Sequence, residues 1–278
     1  MQSIATSGQD QEDLSSLLSN IGLDKLAATR AKLANTPETR DFLEIGLRLL
    51  HDDLLGHTGP DFDQRERSRL FESLSRARIA AKAVELDPGK ELLLTDNAFR
   101  YRWARKDRYT EDLISYLFRL GPQRKRLKEM ESAALEALSA LSLKELVQLL
   151  AAAEVDMILV DPVFNLQTII QAALPNHPKV RQFSQAQYEM LLNGWANLYE
   201  RIAVAYGLRL KPGFTWSDVA LLFNAVVEGA LVRARIYGKE TALSNGERVL
   251  AGAILVMLPS LVEGLPDDCS TLYVARND

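Results

Sequence analysis

Between Arg100 and Lys128 the chain carries ten basic residues (Arg100, Arg102, Arg105, Lys106, Arg108, Arg119, Arg124, Lys125, Arg126 and Lys128) against three acids, Asp107, Glu111 and Asp112. This local balance of +7 sits on a chain whose formal net charge is −4. Guanidinium and ammonium groups at such density have the chemistry of phosphate binding, and an acidic remainder limits indiscriminate attachment to polyanions. A solvated helix face has the same composition, so charge alone leaves both readings open. At the upstream end of the island, Thr95, Asn97 and Tyr101 add hydrogen-bonding and aromatic side chains to the cations.

Capping residues and periodicity indicate the elements that must position these groups. Thr95 is a good N-cap for a short helix on which Phe99 and Trp103, four residues apart, share one face, while Arg100, Tyr101 and Arg102 turn elsewhere. A second helix starts near Lys106-Asp107 and carries Leu113, Ile114, Leu117 and Leu120 at helical spacing. Two helices are therefore expected to meet at a tight corner over Leu94–Phe118.

That corner resembles the recognition helix and following helix of the TetR family of helix-turn-helix repressors. The matching run is Thr95, Asn97, Ala98, Phe99, Arg100, Tyr101, Arg102, Trp103 and then Lys106-Asp107. Arg100 stands where the family commonly has a phosphate-binding tyrosine, with Tyr101 next to it, and Trp103 fills a position usually held by Phe. The resemblance implies base-edge or phosphate contacts from Thr95, Asn97, Ala98, Arg100, Tyr101 and Arg102, and a phosphate contact from Lys106. Thr36-Pro37-Glu38, an N-cap with Pro at the first helical position, opens a helix that resembles the first of the TetR DNA-binding domain. A loop is expected over Gly56–Asp63 and a helix from about Gln64 to Val84, with Ile79 off its apolar stripe. The chain departs from the family in the connection that follows, where Glu85–Leu94 replaces the usual turn of about 3–4 residues. Residues 1–36 precede the resemblance. Leu14, Leu17, Leu18 and Ile21 recur at amphipathic spacing there, as in a helix covering exposed core, a DNA-contacting arm or a partner-binding helix.

Gly121-Pro122 breaks the chain, and 121–278 reads as a second helical domain after a helical extension, 1–36, and a DNA-binding domain, 37–120. In the helix expected over Thr215–Tyr237, Phe223, Val227, Ala230, Leu231 and Ala234 belong to one apolar stripe. Leu221, Leu222, Ala225, Gly229 and Val232 cover the opposite side, so the helix wants two partners. The segment Phe223–Gly238, FNAVVEGALVRARIYG, looks like the penultimate helix of TetR regulators, which dimerise through a four-helix bundle. Phe223, Val227, Ala230, Leu231 and Ala234, with Leu250, Ile254 and Met257 of the last helix, are the expected dimer contacts; a buried core helix within one chain is the alternative. A TetR-like domain would also hold a small-molecule pocket, for which Met157, Phe164, Tyr188, Trp195 and Tyr199 are candidates, although an aromatic stripe is also ordinary core.

Other chemistry is missing from the pattern. His51 and His57 are six apart and would not share a helix face, so no metal site is expected, and no cofactor motif appears. Asp87-Pro88-Gly89-Lys90 lacks the flanks of a phosphate loop and reads as a turn. No catalytic carboxylate pair or nucleophile motif stands out, so an enzyme is not expected. The longest apolar run, Val249–Leu258, is far shorter than the ~20 residues that span a bilayer. The lone Cys269 and the polar, acidic start fit a cytoplasmic protein. The sequence thus predicts an all-α chain, a helix-turn-helix three-helix domain joined to a helical ligand-binding and dimerisation domain. The function expected from the resemblance is a ligand-responsive, homodimeric regulator, probing a double-stranded DNA operator and answering to a small-molecule effector. The rival is a helical dimer of the same fold that binds a small molecule or a protein without reading DNA.

Overall fold

Helix starts in this chain are set by local side chains. In the computed structural model, which describes residues 12–55, 70–72, 74–266 and 268–274, Thr36 accepts a hydrogen bond from the Thr39 amide and Pro37 occupies the first turn, opening α2 (Pro37–Leu54). Ser75 caps α3 (Arg76–Leu86) and Thr95 caps α4 (Asp96–Arg102) in the same way. Ser142 with Glu145 and Thr215 with Asp218 form full capping boxes at the starts of α7 (Leu143–Val160) and α10 (Trp216–Tyr237). The remaining helices are α1 (Ala27–Ala34), α5 (Lys106–Leu117), α6 (Gly121–Ala137), α8 (Pro162–Ala173), α9 (Pro178–Ala205) and α11 (Val249–Leu261). A two-residue antiparallel ladder pairs β1 (Arg209–Leu210) with β2 (Val262–Glu263). Apart from an isolated bridge between Ala242 and Arg248, the described chain is predominantly helical, the all-α class expected.

The chain divides into two compact units. The first contains the described residues up to Arg119 together with Pro162–Ser184, and the second contains Leu120–Asp161 and the residues from Gln185 onward. The single break expected at Gly121-Pro122 is thus replaced by an exchange. Leu166 and Ile170 of α8 are buried in the core of the first unit, and the Gln167 amide donates to the Leu117 carbonyl at 2.7 Å.

In the first unit α2 is central. Its Phe42, Leu43 and Leu50 pack with Ile79 of α3, Phe99 of α4 and Leu113 of α5. Ile79, which does not fit the apolar stripe read from sequence, is fully buried, because α3 begins at Arg76 and its inner face is set by that start. The loop expected over 56–63, His57 and the first residues of the helix expected from Gln64 lie outside the described residues. The segment before α2 is part of this core. Leu14, Leu18 and Ile21 are buried in it, the Gly22 amide donates to the Arg102 carbonyl at 2.8 Å, and Arg40 reaches the Glu12 carbonyl at 2.6 Å. Of the readings open for 1–36, a cover for the core is the one that the described residues adopt.

In the second unit α11 packs on α7 and α10, and α7 also packs on α10. Leu250, Ile254 and Leu258 of α11, Leu146 and Val155 of α7 and Phe223 and Leu231 of α10 are all buried. Gly238, at φ +71°, takes the left-handed conformation that ends α10. Arg248, at the start of α11, binds Glu240 at 2.5 Å and Asp156 of α7 at 2.5 Å, pinning the connection to α7.

Candidate functional site

The seven residues of α4 divide sharply between inside and outside. Phe99 and the following Trp103 are buried and join Phe42 and Tyr109 in an aromatic cluster, with ring centroids 5.5 Å apart for Phe42–Phe99, 4.9 Å for Phe99–Tyr109 and 5.0 Å for Trp103–Tyr109. Each polar tip in the cluster is satisfied. Tyr109 donates to the Phe42 carbonyl at 2.7 Å, and the Trp103 indole N–H donates to Asp112 at 2.9 Å. Asp112 also accepts from the Asn20 amide at 3.0 Å and the Asn20 side chain at 2.9 Å. Burial raises the Asp112 carboxyl above its usual range, and these donors pull it back toward ionisation.

The outward residues are few. Asn97, Arg100 and Tyr101 are exposed and Ala98 is half-buried. Asp96 lies between Arg100 at 2.8 Å and Arg76 at 3.2 Å, so the cations at this helix already have an acidic partner. Lys25, from the segment before α2, stands 4.1 Å from the centre of the Tyr101 ring.

Three of the residues assigned to DNA by resemblance have internal duties. Thr95 uses its hydroxyl as the helix cap. Lys106 donates to the Glu72 carbonyl at 2.7 Å, and partial burial lowers its pKa. Arg102 is the correction of most weight, because it points inward. Its guanidinium donates to the Thr39 hydroxyl at 2.9 Å, the Thr36 hydroxyl at 3.1 Å, Glu38 at 3.1 Å and the Ala98 carbonyl at 3.0 Å. Burial pulls its pKa down while Glu38 opposes the shift. With Phe99 three residues before it and Trp103 next to it, Arg102 belongs to the inner face by helical geometry. The long connection before α4, residues 87–95, is folded: it contains a 3-10 turn, Pro88–Lys90, whose Lys90 is held by Asp41 at 2.7 Å, and Leu94 is buried.

The second unit contains a cavity of about 90 Å³. α7, α9, α10 and α11 all contribute to its wall, with Leu146, Trp195, Trp216, Val219 and Ile254 among the lining side chains. Trp195 and Tyr199 are stacked, ring centroids 5.5 Å apart, and Tyr199 meets Phe223 edge-on at 5.4 Å. These two aromatics of α9 are the pocket candidates that the structure brings together. Met157 and Tyr188 are not among the lining residues, and Tyr188 instead donates to Glu228 at 2.5 Å near the surface. Phe164 lies on α8, in the first unit, because α8 buries its apolar side there.

One polar residue in the wall was missed. Glu154 lines the cavity, and among the described residues no donor reaches its carboxylate within hydrogen-bond distance. Burial pushes its pKa up to about 7, with Arg126 acting in the opposite direction. A signal was present: within the apolar run LVQLLAAAEVDMILV, Glu154 is an acid on the same side as Leu146, Leu150 and Ala151.

The residues expected at a dimer contact lie mostly inside one chain. Phe223, Val227, Leu250 and Ile254 line the cavity, and Ala230, Leu231 and Ala234 are buried in the same unit. Met257 is half-buried on α11. The inner stripe of α10 is fixed by α7 and α11, which leaves the other side open: Leu222, Ala225, Gly229, Val232 and Ile236 are all exposed. Their intervals of three, four, three and four residues draw one continuous seam along the helix.

The fold and sites together describe a predominantly helical chain of two units, one presenting a short buttressed helix and the other containing an apolar cavity. No family model, no curated protein and no solved structure matches it. Among the described residues there is no metal-binding cluster of acids, histidines or cysteine, and no helix long and apolar enough to cross a membrane.

Proposed function

We propose that the protein is a homodimeric, small-molecule-responsive regulator that docks α4 on duplex DNA and senses its effector in the cavity of the second unit. The observation that carries this reading is the cavity itself, an apolar space lined by four helices in a unit separate from α4. Such spaces, mostly apolar with few polar groups, are the usual form of small-molecule sites. The buttressing of α4 supports the other half. Phe99, Arg102 and Trp103 fix the helix from within, so Asn97, Arg100 and Tyr101 are turned outward, where they can meet phosphates and base edges. Self-association is assigned to the exposed seam of α10, where Ala225 and Gly229 permit close approach of a second copy and Leu222, Val232 and Ile236 supply apolar area. Regulation is then a difference in effector affinity between two dimer states, only one of which spaces its recognition helices to match successive major grooves.

Selection from random duplexes at near-physiological salt, followed by sequencing of what is retained, tests the reading. A palindromic motif is expected, with an affinity that falls as salt rises. Recovery of no preferred sequence refutes the DNA half. In light scattering the native chain should run at twice its 31.0 kDa mass, and Val232→Glu should halve that value. A native monomer removes the dimer from the proposal. A second reading, a helical ligand-binding protein without sequence-specific DNA binding, is favoured by Asp96, which already pairs with both Arg76 and Arg100 at α4.

A further inference from the structure

Glu154 is out of keeping with its surroundings. The other side chains around the cavity are almost all aliphatic or aromatic, and the half-buried Glu154 carboxyl stands among them with no protein donor among the described residues. A protein tolerates such a group where a partner arrives from outside. An anionic ligand would be repelled, and a purely apolar one would leave the carboxyl as it was. A ligand cation answers both the charge and the rings, since an ammonium group is attracted to aromatic faces as well as to a carboxylate.

We propose that the cavity takes a small lipophilic amine, bound as its ammonium ion, with Glu154 as counter-ion and Trp195, Tyr199 and Trp216 as the aromatic wall. The proposal rests on the reading of the second unit as a ligand-binding unit and names the class of ligand. The size of the space sets the scale: an apolar cavity of about 150 Å³ accepts benzene, so about 90 Å³ suits a branched alkyl chain of a few carbons.

Few charges modulate the acid. On α6, Arg126 favours the carboxylate but is itself engaged by Asp161 at 2.5 Å. Tyr199 of α9 is held neutral by burial, Asn224 of α10 carries no charge, and α11 lines the space with apolar side chains. Glu154, with a pKa of about 7, therefore governs the pH response. The ammonium needs the ionised carboxylate, so affinity rises with pH through 7 and levels off until the amine loses its own proton.

The test is titration of the full-length protein with 3-methylbutylamine, 3-methylbutanol and 4-methylpentanoate, following tryptophan emission, which Trp195 and Trp216 make sensitive to the cavity. At pH 8.5 the amine should bind at least about tenfold more tightly than the alcohol, a difference on the order of one good charge contact. By pH 5.5 its affinity should fall about thirtyfold, following the ionised fraction of a group with a pKa of about 7. Both effects should vanish in Glu154→Gln, while the alcohol binds as before. Equal binding of amine and alcohol, tightest binding of the acid, or a preference for the amine that survives in Glu154→Gln overturns the proposal while leaving a ligand-binding unit in place. If none of the three probes changes the emission at any pH, the ligand-binding reading falls and the proposal falls with it.

Discussion

Each unit buries a cluster of aromatic rings beside a carboxyl group, and the two clusters are finished differently. In the first, Phe42, Phe99, Trp103 and Tyr109 pack ring against ring around Asp112, which accepts hydrogen bonds from the Trp103 indole and twice from Asn20. In the second, Trp195, Tyr199 and Phe223 border open space, and Glu154 accepts nothing from the described residues. Burial raises the pKa of both acids. The contrast separates two uses of a buried polar group. A fully satisfied network fixes one arrangement of the core, whereas an acid left without partners beside a cavity keeps its bonding capacity for something else.

Asp112 is where the first cluster is most vulnerable. Asp112→Ala leaves the Trp103 N–H and the Asn20 amide groups without an acceptor in a dry interior, and should destabilise the first unit by about 3 kcal/mol in denaturant unfolding. A loss below ~1 kcal/mol would mean that water replaces the carboxylate and that the first cluster is no better satisfied than the second.

Next in size is the pair Arg102 and Arg100, neighbours on one helix with opposite duties. Arg102→Ala abandons Glu38 and two threonine hydroxyls, and should lower stability by about 2 kcal/mol. Arg100→Ala, at an exposed site, should change stability by less than ~0.5 kcal/mol and weaken duplex binding by about tenfold. Thermal melts and DNA titrations on both variants separate the roles. If Arg102→Ala melts like the native protein, its inward network is of no consequence.

A change at Glu154 has the opposite sign. Because the folded state holds the Glu154 proton up to about pH 7 while an unfolded chain releases it near 4.5, the contribution of Glu154 to stability declines as pH rises between these values and is lowest above them. Glu154→Gln removes that penalty, so its Tm should exceed the native value at pH 8 and match it at pH 4. A variant less stable at pH 8 would show that the carboxylate has a partner in the folded protein, and would make the two clusters alike.

What could be read beforehand follows from the range of the forces involved. Thr36, Ser142 and Thr215 mark helix starts because a cap acts within one turn, and the helices begin where these residues say. The short helix after Thr95, with Phe99 and Trp103 inward, was legible for the same reason. Arg102 was not, because a cation next to a tryptophan reads as an outward group until Glu38 and Thr39 are known to lie opposite it. The two apolar sides of α10 were visible in the sequence, but which one faces its own chain depends on α7 and α11. Likewise the allegiance of α8 is decided by α2 and α5, and nothing within 162–173 encodes it. Of the cavity, Trp195 and Tyr199 were found from their apolar stripe, while Glu154 was passed over as one acid among many.

The exchange of α8 between the units bears on how the protein comes off the ribosome. The N-terminal unit has to wait for 162–184 before Leu166 and Ile170 can close its core, and by then the segment 120–161 of the other unit has already emerged. Asn20, made early, waits for Asp112, ninety-two residues later, and that distant closure is slow to form by chance. A fragment ending at Arg119 would expose the apolar surface that α8 covers, and should be recovered as aggregate while the full chain stays in solution.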